Sequence, residues 1–485
     1  MSLTITMKNS TQRASLVSLV KPKLAAEWFD EPLLTFADGA THVDPKVGVN
    51  LYGPRSFGTS RHRSEIHFGF IGSGESIENT ARFYTSCAAG VSGDNDHEPF
   101  PGCDQHTGFR TDLKIDTSAS EIISEHDLTD IKSRSGSKAR FEATLDLLDE
   151  KFRLLKLQER PIDYVVLALP GDLYELSHSV DYKDSQSGMI HRDLRRAFKV
   201  LAMRHEKPTQ IVRDRTVSLE TISRLVDHKA VRAWNLFTGM YFKVDGIPWV
   251  PCGLDSETCY VGVAFYKPNG TKATLRASLA QAFDDRGEGF VLRGREFEWD
   301  EDRDGRSPHL PEDAAQELVT RIVTRYREER KTLPRRVVVH KSSEFWPPEL
   351  SGFRTGLKNV ASFDLVALRS TSQVRLIREA TYPPLRGTAF HCGDVTYFYT
   401  TGYIKSLERY PHGHVPSPIE ISDHHGDSSK AQLIREILGL SRMNWNTAAF
   451  AGAMPITLRF ARLVGEILRE MPTDFHPQPR FKYYT

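Results

Sequence analysis

The sequence has few cysteines, no long apolar run and almost no net charge. Its five cysteines among 485 residues form no Cys-x-x-Cys pair, which argues against a disulfide framework or a zinc site and favours reduced thiols in a cytoplasmic protein. No stretch approaches the roughly 18 apolar residues of a transmembrane helix, so we predict no membrane span. The N-terminus lacks the apolar segment of a signal peptide. The net charge of +1 by itself does not indicate a nucleic-acid partner.

Positive charge is instead concentrated between residues 191 and 243. This stretch contains 12 Lys and Arg residues against 5 Asp and Glu residues. Such a patch can hold phosphate groups while the whole chain stays near neutral. A solvated face of a basic helix would give the same composition, so charge alone leaves both interpretations open.

Hydrophobic patterning predicts two successive α/β units after a turn-rich segment at 1–60. From residue 61 strands alternate with helices, and the run "YVVLAL" is typical of a central strand buried on both faces. We therefore predict a parallel, Rossmann-like α/β domain over 61–245. Over 246–485, strands come first, followed by a helix, further strands and two closing helices, which is the order of an RNase H-like fold.

The most informative segment is the basic one that begins at His191. We predict one helix over "MIHRDLRRAFKVLAMRHE", which would place His191 and Arg195 four residues apart on one face. Gln210 follows in a strand, and Lys243 comes later in "NLFTGMYFKVDG". These side chains could form a terminal-phosphate pocket, in which each charge-assisted bond is worth about 1.5–3 kcal/mol. The alternative is a basic amphipathic helix that binds nothing.

An acidic segment, "WDEDRDGRSPHLPE", is the second candidate. Asp300, Asp302 and Asp304 stand at positions 1, 3 and 5 of a calcium-binding loop. Pro311 occupies the place of the bidentate glutamate, so we interpret the segment as a solvated loop. An alternative reading, a metal-dependent nuclease that uses these non-standard acidic residues, stays open.

In their order and spacing these segments resemble the short prokaryotic Argonautes, which have MID and PIWI domains but no N or PAZ domain. The likeness rests on "PFPGCDQHTGF", "DYVVLALP", "WNLFTGMYFKVDGIPW", "YVGVAFY", "RRVVVHKSSEF" and "LSRMNWN". It implies an α/β chain in which 1–60 is an irregular linker segment, 61–245 is the Rossmann-like MID domain and 246–485 is the RNase H-like PIWI domain.

The resemblance also assigns roles to residues. It implies that His191, Arg195, Gln210 and Lys243 bind the 5′ phosphate of a guide, with one Mg²⁺ as a candidate companion ion. Argonautes that cut hold two metal ions with RNase H-type carboxylates. The two expected aspartates fall at Ala264 and Lys341, and 441–446 contains no Asp or His. The PIWI domain is therefore expected to hold no metal and to have no nuclease activity.

The function implied by the resemblance is guide-dependent recognition. The guide is expected to be 5′-phosphorylated RNA, and the target single-stranded DNA from plasmids or phage. Inactive short Argonautes typically form a heterodimer with an APAZ-containing protein, whose sirtuin-like or TIR effector consumes NAD when the target binds. A structural subunit that binds no guide is a third reading. The sequence leaves the effector type, the guide length and the preferred first base open.

Overall fold

The structure is a computed structural model that describes residues 25–185, 188–218, 227–269, 274–281, 289–371, 373–411, 415–472 and 475–485. Its strands are β1 Ala25–Trp28, β2 Leu34–Thr35, β3 Thr41–His42, β4 Glu65–Gly72, β5 Asp112–Lys114, β6 Ser120–Ile122, β7 Tyr164–Leu169, β8 Ser179–Asp184, β9 Gly188–Asp193, β10 Thr209–Arg213, β11 Val250–Pro251, β12 Thr258–Tyr266, β13 Thr274–Gln281, β14 Val291–Glu298, β15 Arg336–Lys341, β16 Ser362–Ser370, β17 Thr388–Cys392, β18 Val395–Phe398 and β19 Ile419–Gly426.

Its α-helices are α1 Pro45–Tyr52, α2 Gly74–Ala88, α3 Glu125–Ser133, α4 Ser137–Leu157, α5 Gly171–Ser177, α6 Leu194–Arg204, α7 Asp214–Val217, α8 Lys229–Lys243, α9 Glu301–Asp304, α10 Glu312–Arg330, α11 Pro347–Gly356, α12 Lys430–Leu440 and α13 Ile456–Leu468. Within the described ranges, no helix is long and apolar enough to cross a lipid bilayer.

The first unit is a parallel sheet with helices on both faces, as predicted. Its strand order is β10-β7-β4-β5, and β6 also pairs with β4. Every residue of β7 is buried because alternate side chains enter two different cores. Tyr164 and Val166 belong to one core, and Val165 and Leu167 belong to the other.

The second unit is a nine-stranded mixed sheet with the order β1-β17-β18-β19-β16-β15-β12-β13-β14. β12, β15 and β16 run parallel at its centre, and the fold class predicted for this half is confirmed. Helix α13 packs directly on β12. Gly262 permits this approach, because a Cβ at this position would lie 2.1 Å from the carbonyl oxygen of Thr457.

The segment before residue 60 is more ordered than its turn-rich sequence suggests. β1 pairs with β17 at the edge of the nine-stranded sheet, and β2 pairs with both β3 and β11. Glu31 then forms ion pairs with the buried arginines Arg386 and Arg442, at 2.7 and 3.2 Å. This buried pairing fixes the segment to the second unit.

The predicted helix around His191 is wrong at its N-terminal end. His191 lies in β9, which forms an antiparallel hairpin with β8. Helix α6 begins only at Leu194, because the side chain of Asp193 accepts a hydrogen bond from the backbone N–H of Arg196 and caps the helix there. His191 and Arg195 therefore do not share a helix face.

Candidate functional site

A cavity of about 890 Å³ lies between the edge strand β10, helices α6 and α8, and helix α13 of the second unit. Six cationic side chains line it against two carboxylates: Arg195, Lys199, Arg213, Lys243, Arg459 and Arg462 against Asp193 and Glu466. We call it the lysine cavity. Its volume is in the range of small-molecule and nucleotide sites, and its charge suits an anion.

Two lysines in this cavity are almost fully buried. Lys199 donates hydrogen bonds to the carbonyl oxygen of Thr209 at 2.6 Å and to its Oγ1 at 3.2 Å. Lys243 donates to Oε1 of Gln210 at 2.6 Å. An ammonium group carries three N–H donors, so both lysines retain donor capacity for a further ligand.

No carboxylate among the described residues forms an ion pair with Lys199 or Lys243, and the ammonium groups contact only the neutral oxygens of Thr209 and Gln210 in that part of the chain. Burial lowers the pKa of Lys199 well below its usual range, and the neighbouring charges of Lys243 and Arg195 lower it further. Burial and Arg195 lower the pKa of Lys243 to about 7. A bound anion would supply the missing counter-charge and raise both pKa values.

The remaining cations of the cavity surround these lysines. Arg195 lies on the first turn of α6 beside them and is exposed. The two acidic residues of the lining are already engaged by Arg196: Asp193 accepts its backbone N–H at 3.1 Å, and Glu466 pairs with its guanidinium at 3.1 Å. The cavity therefore keeps a positive excess that faces its interior.

Three of the four side chains proposed from sequence for a phosphate pocket line this cavity: Arg195, Gln210 and Lys243. His191 does not line it; the ring is about half exposed and hydrogen-bonds Asp181 at 2.8 Å. Sequence reasoning missed Lys199, which lies four residues after Arg195 on the same helix. Arg195 and Lys199 both lie on α6, whereas the helix predicted from sequence also included His191, one turn earlier.

The side chains of the lysine cavity offer few free ligands for a metal ion. A Mg²⁺ ion prefers oxygen ligands in octahedral geometry, with carboxylates among them. The lining carboxylate side chains, Asp193 and Glu466, both contact Arg196, and Oε1 of Gln210 already accepts from Lys243. The Mg²⁺ ion that the sequence resemblance implies therefore stays a prediction, and no step is assigned to it.

The two positions at which the resemblance places missing aspartates lie near the centre of the nine-stranded sheet. Ala264 is buried in β12, and Lys341 is the last residue of β15. The Lys341 ammonium forms a buried ion pair with Glu349 of α11. Burial nevertheless lowers the pKa of Lys341. Lys341 and Glu349 thus neutralise each other's charge at this position.

Glu349 also contacts the loop that contains His309 and Leu310. Its Oε1 accepts the backbone N–H of Leu310 at 3.1 Å, and its Oε2 lies 3.5 Å from Nδ1 of His309. The His309 ring stacks on Trp346 with ring centroids 4.1 Å apart. Side chains therefore fill the space around Lys341.

The acidic segment is a surface turn, in line with the solvated loop expected from its sequence. Residues 301–304 form the short helix α9. Asp304 pairs with the adjacent Arg303 at 2.7 Å, and that contact lowers the pKa of Asp304 to about 2. Asp300 accepts the backbone N–H of Asp302. These contacts are those of a surface turn.

Among the described residues, one group has three side chains close enough to share a metal ion: Asp94, His97 and His228. Nδ1 of His228 accepts the backbone N–H of Ala230 at the start of α8. A neutral His228 ring therefore carries its hydrogen on Nε2, the nitrogen that faces Asp94. This arrangement favours a hydrogen-bonded cap over a metal centre.

Comparison with solved structures identifies the fold of the two sheets. The chain matches the Clostridium butyricum Argonaute, in a structure with a guide DNA (5′ deoxycytidine) and a 19-mer target DNA, with a TM-score of 0.65 and 15% identity over 93% of this chain. The described residues have an Argonaute MID–PIWI fold. An Aa-Ago structure with externally bound siRNA matches with a TM-score of 0.57 and 13% identity over 94% of this chain.

The A. aeolicus Argonaute matches with a TM-score of 0.56 and 14% identity over 94% of this chain. The chain spans 54–56% of the length of these three Argonautes. No protein-family profile matches the sequence, and no curated protein sequence does. In the shared fold, the lysine cavity lies between the MID-like and PIWI-like sheets, and Ala264 and Lys341 lie within the PIWI-like sheet.

Proposed function

We propose that this chain is a guide-dependent nucleic-acid recognition subunit that binds without cutting. The observation that carries the proposal is the pair Lys199 and Lys243, buried without a carboxylate partner in a cationic cavity. A 5′-terminal phosphate of a guide would supply the counter-charge, and Arg195 would bind it bidentately. The Argonaute neighbours, one of them bound to guide and target DNA, support this choice of ligand.

The proposed guide is 5′-phosphorylated RNA, and the proposed target is a complementary single-stranded DNA of plasmid or phage origin. Base pairing would read the target sequence, and the protein would hold the strands by their backbones. Ala264 and the ion pair of Lys341 with Glu349 support the absence of cutting, because neither position offers a carboxylate for a metal ion.

We further propose that the chemistry belongs to a partner. An APAZ-containing protein with a sirtuin-like or TIR effector would form a cytoplasmic heterodimer with this chain and consume NAD when target binds. The sequence resemblance to inactive short Argonautes supports this step. Co-purification of the two proteins, followed by an NAD-consumption assay with and without target, tests it; NAD loss that ignores the target would contradict it.

A binding and cleavage experiment tests the central proposal. We expect the purified chain to bind a 5′-phosphorylated guide much more tightly than the same guide with a 5′ hydroxyl, and to leave a complementary target intact with Mg²⁺ or Mn²⁺. Equal affinity for both guides would favour a structural subunit. Target cleavage that disappears after Asp300→Asn, Asp302→Asn and Asp304→Asn would favour the metal-dependent nuclease.

A further inference from the structure

A second basic cavity lies on another part of the interface between the two sheets. Its volume is about 780 Å³, and its walls come from 60–63, the end of α8, the last turns of α10 and Pro479–Lys482. It shares no lining residue with the lysine cavity. It lies at the amino end of β4, whereas the lysine cavity runs along β10.

Positive charge dominates this second cavity, which we call the arginine cavity. Five arginine and lysine side chains line it against two carboxylates, namely Arg61, Arg63, Arg325, Arg480 and Lys482 against Asp245 and Glu329. The positive charges come from three separate segments of the chain, so no single basic helix produces the patch. Their convergence on one concavity is a property of the tertiary fold.

The two carboxylates are already committed to cations of the same wall. Asp245 accepts from Lys482 at 2.8 Å and from Arg480 at 3.4 Å, and Glu329 pairs with Arg325 at 2.9 Å. Arg63 reaches Asp163 only at 3.9 Å, with about half of its side chain exposed. Burial lowers the pKa of Lys482 even though it is paired with Asp245, and Arg480 and Arg63 add to that effect. Further negative charge would therefore be stabilised here.

We propose that the arginine cavity binds a compact ligand with two or more linked phosphoryl groups, such as an inorganic oligophosphate or a nucleoside triphosphate. Guanidinium groups bind phosphate oxygens bidentately, and a cavity of this size encloses such a ligand. An extended nucleic-acid strand would need cations along a groove, whereas these converge on one concavity. The proposal does not depend on what the lysine cavity binds.

The ligand would also connect the two sheet units. Arg63 lies two residues before β4 of the first unit, Arg325 belongs to α10 of the second, and Arg480 lies in the C-terminal segment. One anion that contacts all three would link these parts of the chain. We therefore expect ligand binding to raise the thermal unfolding temperature of the chain.

Calorimetric titration of the full chain with sodium tripolyphosphate at constant ionic strength tests the proposal. We expect the wild type to bind one ion at the arginine cavity, besides any ion that the lysine cavity takes up. The double variant Arg63→Ala/Arg480→Ala should lose the arginine-cavity site, while Lys199→Met/Lys243→Met should keep it. Arg335→Ala is the matched control, because Arg335 is an exposed arginine outside both cavities.

Two results would overturn the proposal. The first is an Arg63→Ala/Arg480→Ala variant that binds tripolyphosphate with the stoichiometry and affinity of the wild type. The second is that same unchanged tripolyphosphate binding together with a loss of affinity for a single-stranded oligonucleotide, which would assign the surface to nucleic acid.

Charge-retaining replacements keep the test valid if the alanine variant fails to fold. Arg63→Lys/Arg480→Lys preserves both charges but removes the bidentate geometry. We expect tripolyphosphate binding at the arginine cavity to weaken about tenfold, with the thermal unfolding temperature of the ligand-free protein unchanged. Sulfate at equal charge concentration should not displace tripolyphosphate from the arginine cavity. Equal affinity for the two anions would contradict a site for linked phosphoryl groups.

Discussion

Lys341 and the pair Lys199 and Lys243 are buried to the same degree, with relative exposures of 0%, 3% and 2%, but they differ in what neutralises them. Lys341 has a carboxylate partner in Glu349. Lys199 and Lys243 have neutral oxygen partners from Thr209 and Gln210. The first site is complete within the chain, and the second has no carboxylate partner among the described residues.

The difference shows how one residue type serves opposite purposes. A buried charge without a counter-charge is costly to the folded protein, so a cavity that keeps two of them is best explained by a ligand that neutralises both. At Lys341 the counter-charge is internal, and an external ion would have to displace it. Four sets of variants test this difference between the two sites.

The largest effect is expected from Lys199→Met/Lys243→Met. Loss of two charge-assisted bonds, at about 1.5–3 kcal/mol each, should weaken binding of a 5′-phosphorylated guide by at least about a hundredfold. Binding of a 5′-hydroxyl guide should change little. Fluorescence anisotropy with both guides measures this. Lys156→Ala is the control, because Lys156 is exposed and lies outside the lysine cavity; a double variant that matches this control would refute the assignment.

The second effect concerns stability at the other site. Glu349→Gln leaves the buried Lys341 ammonium without its counter-charge and should lower the free energy of unfolding by about 3–5 kcal/mol. The combined variant Lys341→Met/Glu349→Gln should recover a large part of that loss. Urea unfolding of the three proteins measures both quantities. If the double variant is no more stable than Glu349→Gln alone, the two side chains are not coupled.

The third effect is the contribution of the lysine cavity to the pH dependence of stability. Burial lowers the pKa of Lys243 from its ordinary 10.5 to about 7, so between these values the unfolded chain binds more protons than the folded one. The contribution of Lys243 therefore makes the ligand-free protein more stable as pH rises through this window. Thermal unfolding between pH 7 and pH 10 should show a flatter rise for Lys243→Met, and an identical slope would contradict the shift.

The smallest effect is expected from Asp193→Ser. Serine keeps the cap of α6 and removes one negative charge from the lysine cavity, so phosphate binding should tighten about threefold, in line with roughly 0.5–1 kcal/mol for a partly exposed charge. The unfolding temperature should stay constant. Asp193→Ala separates the two roles, because it removes the same charge but also the cap and should cost about 1 kcal/mol of stability.

Sequence patterning predicted the fold well because both sheets have strong local signals. β7 is an unbroken apolar run, and α10, α12 and α13 have helical periodicity. The start of the helix that carries the phosphate candidates was predicted wrongly. Asp193 caps α6, but in the sequence it stands inside an apparently continuous helical pattern. Lys199 was missed for that reason. The ion pair of Lys341 with Glu349, and the pairing of Glu31 with two distant arginines, depend on tertiary contacts that no local pattern contains.

The most direct test of the account is a crystal structure of the chain with a 5′-phosphorylated guide. We predict that the terminal phosphate lies within hydrogen-bond distance of the ammonium groups of Lys199 and Lys243 and of the guanidinium of Arg195, with the pair of Lys341 and Glu349 unchanged. A terminal phosphate bound elsewhere, with Lys199 and Lys243 still contacting only Thr209 and Gln210, would contradict the central claim.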